Sequence, residues 1–129
     1  MPKVLKYKSF NEWIRQSEYD LKTAEAMLLT GRYIYCIFMC HLSLEKGLKA
    51  YYAEQHKENP PKSHNLNYFL ENIQIDLQED FQKFIEEIND KSIPTRYPED
   101  LRKLIKTFNK QKTTRIFSKT KEIIRCLKK

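Results

Sequence analysis

The order of apolar and polar residues along the chain predicts helices separated by short breaks. After Ser9, apolar residues recur at three- and four-residue steps through residues 10–29, and Ser9 with Glu12 has the spacing of a capping box. Gly31 is a helix stop, and a second helix is predicted over residues 32–56. The first half of that helix is apolar nearly all round, which is typical of the central helix of a bundle.

Shorter apolar groups follow, separated by proline-containing breaks. Ser63 is predicted to cap a third helix over residues 64–73. Residues 77–89 predict a fourth helix, and residues 101–105 a short helical segment before the last helix. The stretches KENPPKS and DKSIPTRYPED predict the two main loops. Because no alternating strand pattern is convincing, the chain is predicted to be one all-α domain over residues 1–129, an up-and-down bundle of about five helices.

Charge divides the chain into two parts. Residues 101–129 carry eleven basic residues and one acidic residue, a net charge of +10, whereas residues 1–100 have a net charge of −3. A strongly basic segment favours nucleic acid, a nucleotide or an acidic protein as partner, and a solvated face of a terminal helix is an equally supported interpretation. The candidate contacts to nucleic-acid phosphate are Lys119, Lys121 and Arg125.

Composition argues against several classes of protein. With only two glycines there is no glycine-rich phosphate loop, so the NTPase and dinucleotide-binding classes are excluded. No apolar run reaches membrane-spanning length, no secretion signal is recognisable, and the odd number of cysteines suggests a reducing, cytoplasmic setting. Cys36, Cys40 and His41 lack the paired ligand sets of a zinc site, so neither a metal nor a cofactor is expected.

The segment CHLSLEKGLKAYY places polar residues in the most apolar helix. His41, Glu45 and Lys49 follow at four-residue steps and form one stripe, with Lys46 about 100° further round. The stripe marks either the point where the helix emerges from the core or one wall of a groove in which lysines meet phosphate. Spacing alone favours the first interpretation.

Several short motifs follow one another in a recognisable order. They are Trp13, SEYDLKTA, Gly31 with Tyr33, EKGLKA from Glu45, His64 with Leu66, and Arg96-Tyr97-Pro98. This order resembles the prokaryotic HEPN domain, a small helical bundle named for nucleotide binding in higher eukaryotes and prokaryotes. Ser17 stands where alanine is common in that family, and His41 where a small or amide residue is usual.

The resemblance implies three possible functions. Many prokaryotic HEPN proteins pair with a minimal nucleotidyltransferase in a two-component toxin–antitoxin-like system. Others are metal-independent ribonucleases in which an arginine precedes a histidine by four to six intervening residues, and a third group binds nucleotides or proteins without catalysis. No arginine lies at that spacing before His41, His56 or His64, so the ribonuclease signature is absent.

Within the resemblance, five residues are candidate nucleotide or phosphate contacts: Lys46, Lys49, His64, Arg96 and Tyr97. Arg96 could hold phosphate and Tyr97 could stack on a base, or the pair could simply dock their loop on the bundle. The resulting interpretation is a non-catalytic HEPN-type module, a homodimer that binds nucleotide or RNA and acts with a minimal nucleotidyltransferase. A degenerate ribonuclease and a protein–protein adaptor are the alternatives.

Overall fold

The computed structural model describes the backbone of residues 6–96 and 101–129, and the side chains of residues 6–90 and 101–129. Within those residues the chain forms six helices and no strand, which confirms the all-α prediction. The helices are α1 Phe10–Leu29, α2 Tyr33–His56, α3 Leu66–Glu71, α4 Glu79–Arg96, α5 Leu101–Thr107 and α6 Lys110–Leu127. No helix in the described part of the chain is long and apolar enough to span a membrane.

Helix α2 is the centre of the bundle. It packs against each of the other five helices in the described part of the chain. Fourteen of its 24 residues are buried, among them the consecutive residues Gly47 to Ala50. Because successive residues of an α-helix are rotated by about 100°, four consecutive buried residues cover most of the circumference. The apolar run predicted to lie at the centre of a bundle does so.

Local interactions begin and end α1 where the sequence predicts. Ser9 Oγ accepts a hydrogen bond of 3.1 Å from a backbone N–H of the first turn. At the other end, Gly31 has a φ of +78°, and its N–H donates to the Leu28 carbonyl. The N–H of Arg32 donates to the Met27 carbonyl at 2.8 Å. These two bonds satisfy carbonyls at the helix end, and they need the left-handed turn that glycine adopts without steric cost.

Two predicted boundaries are wrong. Asn65, and not Ser63, caps α3, because the Asn65 side chain accepts from two backbone N–H groups of the first turn. Ser63 Oγ instead accepts from the N–H of Asn65. Helix α4 continues through Pro94 to Arg96, where a loop was expected. A proline removes one N–H donor, and so close to the end of an 18-residue helix this loss does not terminate it.

Gly47 marks a close approach of α6 and α1 to α2. A Cβ atom added to Gly47 would lie 2.7 Å from Cδ1 of Leu127 and 3.4 Å from Cδ1 of Ile124, both on α6. Oγ of Ser17, on α1, would lie at 3.6 Å. The absence of a side chain at this position therefore sets how closely three helices pack, and with it the position of α6.

Replacing Gly47 by valine should destabilise the protein by roughly 1–3 kcal/mol, the usual cost of overpacking a core. The measurement is urea denaturation followed by circular dichroism. Ala26→Val is the matched control because Ala26 is exposed on α1, so this change should cost only the lower helix propensity of valine, below about 0.7 kcal/mol. Equal losses in the two variants would contradict the close approach.

Candidate functional site

A hydrogen-bonded cluster surrounds the carboxylate of Glu45 on α2. Nζ of Lys49 donates to Oε2 at 3.0 Å, and Nδ1 of His64 donates to Oε1 at 2.8 Å. Nε2 of His41 donates to the backbone carbonyl of His64 at 2.9 Å and lies 3.6 Å from Glu45 Oε1. We call these four residues the Glu45 cluster. It ties the segment before α3 to the middle of α2 through both the ring and the carbonyl of His64.

The charges of the Glu45 cluster are compensated inside the fold. The side chains of Glu45 and Lys49 are 4% and 10% exposed, whereas that of His64 is 61% exposed. Burial is the largest single effect on the pKa of Glu45 and raises it. The His41 ring, the positive charge of Lys49 and the hydrogen bond from His64 together outweigh burial and lower that pKa to about 2. Glu45 is therefore ionised at neutral pH.

Three of the predicted phosphate contacts have described side chains, and two of these, Lys49 and His64, meet at this cluster. Lys46 instead pairs with Asp20 of α1, with 2.8 Å between Nζ and Oδ2. Arg96 is the last residue of α4, but its side chain lies outside the described residues, as does the whole of Tyr97. Both α2 lysines thus have a carboxylate partner within the bundle.

A second candidate site is a cavity of about 680 Å³ between α4 and α6, here called the α4–α6 groove. This volume is within the range of about 300–1,000 Å³ found for ligand pockets. Its apolar lining comes from Phe84 and Ile88 of α4, Ile116 of α6, and Phe108 between α5 and α6. The remaining lining residues are polar: Glu87, Thr107, Lys112, Arg115, Ser118, Lys119 and Glu122.

Three cations of α6 lie along this groove. Lys112, Arg115 and Lys119 follow at three- and four-residue steps, so they share one face of the helix. Nζ of Lys119 donates to Oδ2 of Asp80 at 2.6 Å, and this bond raises the pKa of Lys119. Nζ of Lys119 also lies 4.9 Å from the centre of the Phe81 ring. Lys112 and Arg115 have no ion-pair partner among the residues that the structure describes.

Of the three α6 residues predicted to contact nucleic-acid phosphate, only Lys119 lines the groove. Lys121 is half-buried and Arg125 is exposed, and neither belongs to the groove lining. Lys112 and Arg115 were not predicted, although their helical spacing with Lys119 is visible in the sequence. The apolar walls carry no such signal, because α4 and α6 are far apart along the chain.

Two of the three cysteines are neighbours in α2, and the third lies apart from them in α6. Cys36 and Cys40 are buried in α2, and Cys126 is exposed near the end of α6. A hydrogen bond with Cys36, together with burial, raises the pKa of the Cys40 thiol well above its ordinary value, which is typical of an inert packing residue. Across residues 6–96 and 101–129, no three His, Cys, Asp or Glu side chains are grouped so that they could hold a metal ion.

Comparison with known proteins places the chain in a family. The family model described as HEPN domain matches residues 10–129. The chain therefore belongs to the HEPN domain family. Its fold is similar to the crystal structure of TT1696 from Thermus thermophilus, with a TM-score of 0.78 at 19% sequence identity, over 92% of this chain and 94% of that one. No curated protein gives a significant match.

Acid should destabilise the protein through Glu45. Its folded-state pKa of about 2 lies below the ordinary value of 4.5. The carboxylate therefore stabilises the fold fully above about pH 4.5, and this contribution is lost as the pH falls towards 2. The shift corresponds to a free energy on the order of 3 kcal/mol. The measurement is the free energy of unfolding in urea as a function of pH.

Glu45→Gln is the control for this pH dependence, because its side chain cannot ionise. It should be less stable than the wild type at pH 7, since Lys49 would be left buried without a counter-charge. It should also lose less stability between pH 4.5 and 2. The same pH dependence in both proteins would assign the acid sensitivity to other carboxylates.

Proposed function

We propose that the chain is a non-catalytic HEPN-type module that binds the phosphates of a nucleotide or of RNA at the α4–α6 groove. The observation that carries this proposal is the alignment of Lys112, Arg115 and Lys119 along a groove with aromatic and aliphatic walls. Cations alone would attract any anion, and apolar walls alone would suit any hydrophobic molecule. Their combination suits an anionic ligand with a flat apolar body, which is the chemistry of a nucleotide.

Arg115 is the proposed main phosphate contact. Its planar guanidinium can donate to two phosphate oxygens at once, and it is exposed without an ion-pair partner in the described part of the chain. Lys112 adds a second charge nearly one turn away. Lys119 is already bound to Asp80 and contributes less. Because Glu122 would repel phosphate from the other end of the groove, the phosphates are placed towards Lys112 and Arg115.

A longer nucleic acid would extend beyond the groove. Lys121 and Arg125 lie further along α6, where they could contact the phosphates of an RNA strand without reading its sequence. Such contacts release counterions, so binding through them weakens as salt is added. A mononucleotide in the groove would depend mainly on Arg115 and Lys112.

The α2 residues and their predicted neighbours form a second, less supported phosphate site: Lys46, Lys49, His64, Arg96 and Tyr97. Lys49 holds Glu45 at 3.0 Å and Lys46 holds Asp20 at 2.8 Å. Phosphate at this site would have to compete with a carboxylate for each lysine. In the α4–α6 groove, Lys112 and Arg115 have no ion-pair partner among the described residues, although Glu87 and Glu122 belong to the same lining. This difference favours the groove.

Family membership supports the proposed setting, in which the chain acts as a cytoplasmic homodimer with a minimal nucleotidyltransferase. The pair would form a two-component toxin–antitoxin-like system. The net charge of +10 in residues 101–129 is consistent with a polyanionic ligand or an acidic partner. A nucleotidyltransferase encoded beside this chain would be direct support for the pairing.

Arg115→Gln should weaken ATP binding about ten-fold or more, measured by isothermal titration calorimetry. The reason is that a charge-assisted hydrogen bond contributes roughly 1.5–3 kcal/mol, and 1.4 kcal/mol corresponds to about a factor of ten. Arg125→Gln is the matched control, because it removes an α6 arginine outside the groove. It should leave ATP affinity nearly unchanged.

The same titrations separate the two sites and the two ligands. Lys46→Gln should change ATP affinity little, and a larger loss than in Arg115→Gln would move the site to α2. Neutralising Lys119, Lys121 and Arg125 together should flatten the salt dependence of binding to a short RNA. If the wild type binds neither ATP nor the RNA below millimolar concentration, the proposed function is wrong.

The purified chain should not cleave RNA in the presence of EDTA. No histidine has an arginine at the ribonuclease spacing, and the rings of His41 and His64 are hydrogen-bonded within the Glu45 cluster. The assay is electrophoresis of a labelled RNA, with His64→Ala as the comparison. Cleavage by the wild type that disappears in His64→Ala would establish the ribonuclease alternative.

A further inference from the structure

Helix α5 has apolar side chains that the rest of the bundle covers only in part. None of its seven residues is buried. Leu101 and Ile105 are each 55% exposed, whereas Leu104 is partly buried and packs against the core. The spacing of these three residues places them on one face of the helix. The bundle therefore covers Leu104 and leaves its two neighbours largely open.

This face and the start of α2 enclose a cavity of about 470 Å³, here called the α2–α5 groove. Tyr35 of α2 lines it and is 58% exposed, and the buried ring of Phe108 lies beneath. Five large hydrophobic side chains are exposed in the described part of the chain, and three of them line this groove: Tyr35, Leu101 and Ile105. Single exposed apolar residues are ordinary, but a cluster of them around a groove marks an interaction surface.

The edge of the groove is cationic. Arg32 and Lys110 line it, and Arg102 and Lys106 are exposed on α5. None of these four side chains has an ion-pair partner among the residues described. No acidic residue occurs in the sequence from 101 to 121. An apolar groove with these cations around it is complementary to a segment with an apolar centre and acidic flanks.

We propose that the α2–α5 groove docks an acidic segment of a different protein. Two or three large apolar side chains of that segment would pack on Tyr35, Leu101 and Ile105. Its Asp or Glu residues would meet Arg32 and Lys110 of the lining, with Arg102 and Lys106 exposed elsewhere on α5. Apolar side chains one helical turn apart would match the groove, as in other complexes in which an amphipathic helix binds a groove.

Other occupants fit the groove less well. RNA would supply the negative charge and could stack a base on Tyr35, but the other two exposed apolar side chains at this surface, Leu101 and Ile105, are aliphatic and offer no second stacking face.

A second copy of the chain would have to present acidic and apolar residues on one surface. Its acidic helix α4 does not, because the large apolar side chains Phe81, Ile85 and Ile88 are buried in the core. On α1 the exposed Tyr19 and Leu29 are ten residues apart, about 15 Å along the helix, so they do not form one apolar surface.

Three labelled synthetic peptides of about 18 residues, long enough to form a helix, serve as probes. The acidic peptide carries leucines at one-turn spacing with glutamates on either side. The second peptide replaces each glutamate by lysine, and the third replaces each leucine by serine. Fluorescence anisotropy with the full chain should show that the acidic peptide binds about ten-fold or more tightly than either of the others, a difference typical of one or more hot-spot contacts.

Variants of the chain locate the binding surface. Ile105→Ser and Leu101→Ser should each weaken binding of the acidic peptide about five-fold or more. Tyr19→Ser is the matched control, because Tyr19 is an exposed apolar residue of α1 outside the groove. The double variant Arg32→Glu with Lys106→Glu should prefer the lysine peptide. Since all these positions are exposed, thermal unfolding should show that every variant remains folded.

Four outcomes would overturn the proposal. They are equal binding of the acidic and lysine peptides, binding that Ile105→Ser leaves unchanged, no binding at millimolar concentration, and a wild-type dimer that dissociates in Ile105→Ser by sedimentation. The last outcome would assign the groove to a second copy of the chain. The ATP affinity of Ile105→Ser, which should equal that of the wild type, keeps this test separate from the test of the α4–α6 groove.

Discussion

Glu45 lies in a helix that the bundle surrounds, and a carboxylate in such a position has to be neutralised by the protein itself. Lys49 supplies the opposite charge from the next turn, and His64 supplies a hydrogen bond from the segment before α3. The same His64 accepts from His41 through its backbone carbonyl. Charge neutralisation in α2 therefore also determines where the chain goes after α2, and so where α3 and α4 pack.

The packing of α6 follows from the other side of α2. Gly47 lets Leu127 and Ile124 approach α2 closely. The other large apolar residues of α6 are also buried, so its apolar face is fully packed against the bundle. Nine of the eleven basic residues in the last 29 positions lie on α5 and α6, and none of these nine is buried. The part of this charge that faces α4 forms the cationic lining of the α4–α6 groove. The sequence shows that the end of the chain is basic, and the structure shows which side of the bundle these basic residues face.

Phe108 connects the two proposed binding surfaces. Its N–H donates to the Leu104 carbonyl at the end of α5, and Asn109 caps α6 directly after it. The buried ring lines both the α4–α6 groove and the α2–α5 groove. A nucleotide on one side and an acidic segment on the other would therefore contact residues around the same ring.

Helical periodicity and local caps determined much of this protein from its sequence alone. The bounds of α1 and α2, the turn at Gly31 and the central position of α2 depend on residues within a few positions of one another. The family could also be recognised from the order of short motifs. The sequence also shows that Lys112, Arg115 and Lys119 share one face of a helix. It does not show that this face lines a groove with α4.

Only the tertiary structure decided the rest. The start of α3 depends on Asn89 of α4, whose side chain accepts from the N–H of Leu66 at 2.8 Å, so the choice between neighbouring polar caps was not local. Lys46 pairs with Asp20 because the carboxylate that it reaches depends on how α1 and α2 pack. The pair of Lys49 with Glu45 is different, since it lies within α2 at the four-residue spacing that the sequence already showed. Both grooves are lined by helices that do not follow one another in the chain, α4 with α6 and α2 with α5. Helical periodicity does not predict which helices become neighbours. Sequence patterns specify which face of a helix is apolar, whereas the neighbour against which that face packs is decided by the whole fold.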